Sequence, residues 1–179
     1  MQLNCSPEQA RQRAAAIRLL VMDVDGVLTG GELLYDSEGR ELKRFNILDG
    51  LGIKLLQQQG MTTAIISGRR SAMLTRRAGE LGIPHLVQGR EDKLDALQSL
   101  LTTEGFTLEE TAYIGDDLPD LAAIRAVGFG VTVPNAYPLL KEHALAITTA
   151  PGGQGAVREL ADFLLQAQDA YDDIMASYL

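Results

Sequence analysis

The chain has 179 residues and a single cysteine, Cys5, so it forms no internal disulfide and is long enough to bury a core without one. Twenty-four acidic residues against sixteen basic ones leave a net charge of −8 with no basic tract, which argues against nucleic acid and anionic membrane as partners. The first sixteen residues are too polar for a secretory signal and no apolar run approaches the ~20 residues of a membrane span, so the expectation is a soluble, cytoplasmic protein of one domain over 1–179.

Ser6 and Pro7 suit an N-cap and a first helical position, which opens a helix over 7–16. Next, Ile17-Arg18-Leu19-Leu20-Val21-Met22 is a short apolar run that stops at Asp23 and reads as a buried strand. The same unit returns at 61–66 before Ser67-Gly68, at 111–114 before Gly115-Asp116, and at 128–133 before Pro134-Asn135. Helical patterns over 49–59, 70–81, 91–104, 118–126 and 137–142 separate these runs. The alternation predicts an α/β fold: one Rossmann-like domain, a central parallel sheet, helices on both faces.

One segment, 31–46, breaks the alternation. Glu32-Leu33-Leu34-Tyr35 and Glu41-Leu42-Lys43-Arg44-Phe45 flank a turn at Asp36-Ser37-Glu38-Gly39, which predicts an inserted β-hairpin. Two strands alone cannot bury Leu33, Leu34, Tyr35, Leu42 and Phe45, so the hairpin is expected to pack on a partner subunit or on its own sheet. Further on, 151–155 is glycine-rich and reads as a flexible hinge, 156–167 as a helix, and 168–179 as an acidic C-terminal tail of loose pattern.

The chemistry lies where the strands stop. Asp23-Val24-Asp25-Gly26 places two carboxylates two residues apart, and Gly26 permits a turn that brings both onto one site. Crowded carboxylates hold a proton or a cation. Gly115-Asp116-Asp117-Leu118-Pro119-Asp120 puts three more acids at another strand end, and converging carboxylates suit a hard divalent ion. Ser67 offers a hydroxyl beside free backbone N–H groups at a helix start, an anion site. Lys93 stands near the start of a further helix. Taken singly, each has an ordinary structural explanation: a solvated turn, an acidic helix start, a cap, a surface charge.

In order and context, however, the four together resemble the haloacid dehalogenase-like phosphohydrolases over residues 18–165. Asp23-x-Asp25-Gly26-Val27-Leu28-Thr29 is similar to the first motif of that family, Ser67 to the second, Lys93 to the third, and Gly115-Asp116-Asp117-x-x-Asp120 to the fourth. The resemblance implies that Asp23 is a nucleophile forming an aspartyl-phosphate and Asp25 a general acid and base. Ser67 and Lys93 would hold the phosphoryl group. Mg²⁺ would sit on Asp23, the backbone carbonyl of Asp25 and Asp116, with Asp117 and Asp120 as outer ligands. The intervals between motifs leave room for no cap domain, and the hairpin stands in its place. The stretch 45–54, Ser67-Gly68-Arg69 and the Gly152-Gly153-x-Gly155 run look like those of capless members that act on acid-sugar phosphates; the glycine run favours an eight-carbon substrate, and a nine-carbon one is the alternative. That likeness implies substrate contacts from Asp25, Asn46, Ile47, Leu48, Asp49, Gly50, Lys54, Arg69, Arg77 and Lys93, and a homotetramer in which hairpins cover neighbouring sites. A non-enzymatic phosphoacceptor domain is a further alternative, but in such domains an acidic pair precedes a separate acceptor Asp two strands later, whereas here the second strand end offers Ser67 and the acid cluster comes last.

Overall fold

The computed structural model describes residues 1–179. In chain order the elements are β1 (Gln2–Leu3), α1 (Pro7–Ala15), β2 (Leu19–Met22), β3 (Leu34–Tyr35), β4 (Glu41–Leu42), α2 (Ile47–Gln58), β5 (Thr62–Ser67), α3 (Ala72–Leu81), β6 (His85–Gln88), α4 (Lys93–Glu104), β7 (Thr111–Gly115), α5 (Leu118–Ala126), β8 (Phe129–Thr132), α6 (Pro138–His143), β9 (Ala146–Ile147), α7 (Ala156–Ala167) and α8 (Tyr171–Ala176). Seven strands form one sheet in the order β1-β9-β8-β7-β2-β5-β6, parallel except where β1 meets β9. Helices α1, α7, α2 and α3 make one layer by mutual packing, and α4, α5 and α6 another. The expected α/β architecture, with strands buried on both faces, is what forms: every residue of β2 and β7 is buried.

Three strands escape the apolar pattern. β1 and β9 are two residues long, and β6 is an edge strand whose four residues are all half-buried. The tail is also better formed than its sequence suggests. It contains α8, with Ile174 buried against the core. The stretch 151–155 is no hinge either. Gly152 is buried, donates its N–H to Asn135 Oδ1 at 2.9 Å, and lies so close to the loop after β2 that a Cβ on it would stand 1.7 Å from the Gly26 carbonyl oxygen. Glycine is there for close backbone approach, with Gly153 N–H bonded to Val27 O at 2.8 Å.

The chain runs from β2 outward through β5 and β6, then crosses back to β7, β8 and β9 on the other side of β2. Ligands bind at such a reversal point, at the carboxyl ends of the strands. Register makes this concrete. Leu19 pairs with Thr62 on one side and Thr111 on the other, which sets Ser67 and Asp116 level with Val24, flanking Asp23 and Asp25.

Candidate active site

The loop after β2 is shaped by its own polar groups. Asp23 N–H still bonds to Ile114 O at 3.0 Å, so the nucleophile candidate is anchored in the sheet. The chain then folds back: Thr29 N–H reaches Val24 O at 3.0 Å, and the Thr29 hydroxyl donates to Val24 O while accepting from Gly26 N–H and Gly31 N–H. Gly26 has φ +98°, and a Cβ there would lie 1.9 Å from Asp116 Oδ2. Both a left-handed backbone and the absence of a side chain are therefore required. The turn brings Asp23 and Asp25 to one cavity, as expected from Gly26.

Oxygens of Asp23, Asp116 and Asp120 all lie within 4.8 Å of one another. Their partners separate their roles. Asp120 is fully buried and both its oxygens are engaged: Oδ1 accepts from Lys93 Nζ at 2.6 Å and from the Tyr113 hydroxyl at 2.8 Å, and Oδ2 accepts from the backbone N–H groups of Asp116 and Asp117. Asp120 is thus a brace for Lys93 and for the loop rather than a free ligand. Asp117 lies on the exposed rim of the site, where its side chain is spent as the N-cap of α5. Asp23 and Asp116 remain to hold a cation. Burial raises the pKa of both above the carboxylate range, and the negative neighbours Asp120 and, for Asp116, Asp23 add to the shift. Lys93 shows the converse balance. Burial disfavours its charge, but Asp23, 2.7 Å from its Nζ, and Asp120 outweigh that and raise its pKa.

The cavity, about 370 Å³, opens over this group. Its walls include Ser67 and Gly68 at the end of β5, Arg69, Glu91, and Leu33 from the hairpin. Ser67 is buried and accepts from Arg69 N–H at 3.3 Å. Six carboxylates line the cavity (Asp23, Asp25, Glu91, Asp116, Asp117, Asp120) against two cations, Arg69 and Lys93. Such a wall repels a phosphate dianion. The donor set, all hard oxygen and strongly negative, is the one that a divalent ion such as Mg²⁺ requires.

Of the ten residues expected at the substrate, Asp25, Arg69 and Lys93 line this cavity within the chain. The others lie elsewhere. Asn46 caps α2, accepting from Leu48 N–H at 2.8 Å, and its amide donates to Gly153 O at 3.4 Å. Asp49 is 1% exposed and accepts from Arg158 N–H at 2.9 Å, holding the start of α7. Gly50 packs against the Arg77 guanidinium, and Arg77 reaches the Asn46 carbonyl and Glu80. Ile47, Leu48 and Lys54 face outward from α2.

Several contributors carry no sequence signal of their own. Lys43, on the hairpin, pairs with Asp25 and lies 3.6 Å from Glu41, which in turn holds Arg69 at 2.9 Å. Tyr113 is an interior residue of an apolar strand until its hydroxyl is seen on Asp120. Asn135 ties Gly26 O to Gly152 N–H. It follows a strand end, the one cue by which it could have been picked out.

The fold defines a hydrolase of the haloacid dehalogenase-like class, and the family model described as haloacid dehalogenase-like hydrolase matches residues 82–160. The 3-deoxy-D-manno-octulosonate 8-phosphate phosphatase of Yersinia pestis is 50% identical over 88% of this chain and 84% of its own length. That of Escherichia coli K12 is 44% identical over 90% of this chain and 86% of its own. The crystal structure of the Moraxella catarrhalis phosphatase of the same name, in complex with magnesium, phosphate and 3-deoxy-D-manno-octulosonate (KDO), has a TM-score of 0.96 and 48% identity, covering 97% of this chain and 100% of that one. The chain belongs to this phosphatase family of the haloacid dehalogenase-like hydrolases.

Proposed function

We propose that the protein is a Mg²⁺-dependent phosphatase that hydrolyses 3-deoxy-D-manno-octulosonate 8-phosphate to the free sugar acid and phosphate. The observation that carries this reading is the cavity itself. An anchored aspartate lies 2.7 Å from a buried lysine, with a second aspartate of the same loop on the same wall. In the first half-reaction a carboxylate oxygen of Asp23 attacks phosphorus, the bond from phosphorus to the sugar oxygen breaks, and Asp25 gives that oxygen a proton. In the second, Asp25 takes a proton from water as the water oxygen attacks phosphorus, and the Asp23 carboxylate departs. Lys93 and Ser67 hold phosphoryl oxygens throughout. Bound Mg²⁺, held by Asp23, the Asp25 carbonyl and Asp116, neutralises the charge that otherwise keeps phosphate out. Arg69, 41% exposed on the cavity wall, offers a fork for the sugar carboxylate.

Ile47 and Leu48, expected at the substrate but turned away from this cavity, fit an assembled enzyme. Leu33, Leu34, Tyr35 and Leu42 of the hairpin and Ile47, Leu48 and Leu51 of α2 are exposed, an apolar surface that reaches the cavity wall at Leu33. A homotetramer in which hairpins pack together would bury it and cover the open cavity, and the enzyme would act in the cytoplasm on the way to lipopolysaccharide.

Steady-state kinetics with Mg²⁺ on eight-carbon, nine-carbon and neutral sugar phosphates tests the activity. The eight-carbon acid sugar should give the highest kcat/KM, and an equal or better neutral sugar would reject the assignment. Light scattering tests the assembly. Leu33→Asp with Tyr35→Asp should dissociate it, and a monomeric wild type would overturn it.

A further inference from the structure

The hairpin has two chemically different sides. Along 41–45 the strand alternation sends Glu41 and Lys43 one way and Leu42 the other. Leu42 is 55% exposed, whereas the Lys43 side chain is 4% exposed. With so little apolar burial, a two-stranded piece does not hold its place on the protein by packing. Apart from Phe45, which packs against the core at the end of the segment, its inward contacts are charges: Lys43 to Asp25, and Glu41 to both Lys43 and Arg69. Lys43 does not itself line the catalytic cavity, but Asp25 does. The ammonium takes Asp25 Oδ1, which leaves Oδ2 as the oxygen available to the reacting groups.

From this geometry we infer that Lys43 is a positioning residue for the acid and base Asp25, so that the hairpin sets the proton-transfer step from within its own chain. The inference rests on the role given to Asp25 above. A buried ammonium on one carboxylate oxygen fixes the side chain's rotation, and an error of about 1 Å in a reacting group costs on the order of 10²-fold in rate. The step affected is specific. The proton on Asp25 goes to the ester oxygen as the bond from phosphorus to oxygen breaks and the bond from Asp23 to phosphorus forms. An alkoxide needs that proton to leave, whereas p-nitrophenolate leaves without it.

The test is the rate of the first turnover, by rapid quench with Mg²⁺, on the sugar phosphate and on p-nitrophenyl phosphate. Lys43→Met should slow the sugar phosphate about 30-fold, part of the ~10²–10⁴ that a positioned general acid contributes, and should slow the aryl ester at least about tenfold less. KM should barely move, and Lys43→Arg should recover most of the loss. Glu41→Gln, which keeps the ammonium but removes the charge of its second partner, should show the same selectivity at smaller size, and it keeps the test open if the methionine variant folds poorly. Equal losses on both esters, or a change confined to KM, would overturn the inference. Asp25→Asn run alongside separates the two readings: if it too lacks leaving-group selectivity, the role of Asp25 fails, and that of Lys43 with it. Selectivity in Asp25→Asn without any in the Lys43 and Glu41 variants rejects the Lys43 role alone.

Discussion

Asp120→Asn keeps the shape of the side chain and tests whether Asp120 braces the site. The charge terms oppose each other, the repulsive ones only as far as Asp23 and Asp116 are ionised. Attraction to Lys93 at 2.6 Å is worth about 6 kcal/mol at an effective dielectric of 20. Repulsion from Asp23 and Asp116, at separations up to 4.8 Å, is worth about 3–4 kcal/mol each on the same scale. Hydrogen bonds then decide the outcome. Four donors converge on Asp120: Lys93 Nζ, Tyr113 OH, and the N–H groups of Asp116 and Asp117. An asparagine accepts at one end only and presents its own N–H groups to two of them. Two buried or half-buried donors left facing donors cost about 3 kcal/mol together. For a chain of this length that lowers the unfolding temperature by about 6–12 °C. Lys93, released from one of its two anchors, should also lose alignment, with kcat down on the order of 10²-fold for aryl and sugar phosphates alike. Calorimetry and steady-state kinetics on the metal-free and Mg²⁺-loaded protein measure both. Tyr113→Phe removes one donor and should cost only about 1 kcal/mol. An unfolding temperature for Asp120→Asn equal to that of the wild type would refute the brace.

Asp23→Asn removes the attacking anion, and activity should fall more than about 10³-fold, roughly 4 kcal/mol in barrier, with no acid-stable phosphoenzyme in a quench. Gly152→Ala would drive its Cβ into the Gly26 carbonyl, a backbone atom that cannot rotate away. The cost should be about 1–3 kcal/mol of stability, and kcat should fall through displacement of the Asp23–Asp25 loop, whereas unchanged kinetics would mean the two loops move freely. Asp23 and Asp116 have raised pKa values, so the folded metal-free protein binds protons that the unfolded chain releases above about pH 4. Its stability should therefore decline as pH climbs from there into the neutral range. Mg²⁺ replaces those protons, so binding should release protons, and the thermal shift it produces should be larger at pH 8 than at pH 6. A shift independent of pH would contradict the assignment of Asp23 and Asp116 as ligands. EDTA should abolish turnover and added Mg²⁺ restore it.

Much of the catalytic constellation could be read from the sequence because it depends on local rules. A buried parallel strand is an unbroken apolar run, and the first polar residue after it must stand at the sheet's carboxyl edge. Asp23, Ser67 and Asp116 are each such a residue. The order of four strand-end or helix-start groups then restricts the chemistry, and the comparisons bear out the family it pointed to. What the sequence could not supply is which polar atoms spend their hydrogen bonds on each other. Asp116 and Asp120 are both acids of one loop, yet only the fold shows that Asp120 is saturated by Lys93, Tyr113 and two backbone groups while Asp116 is left free. Asp49 and Arg77 were expected at the substrate, but packing of α2 against α7 and α3 turns them to the start of α7 and to the Asn46 carbonyl within this chain. Gly152 looked like a hinge because glycine loosens an isolated chain, and it became a rigid contact because another backbone approaches within the space of a Cβ. Lys43 is one charge among several along 41–45 until the folded hairpin sets its ammonium on Asp25 in the loop after β2. Strand ends are fixed by a few neighbouring residues, whereas pairings between groups far apart in the chain exist only once the sheet order and the hairpin's position bring them together.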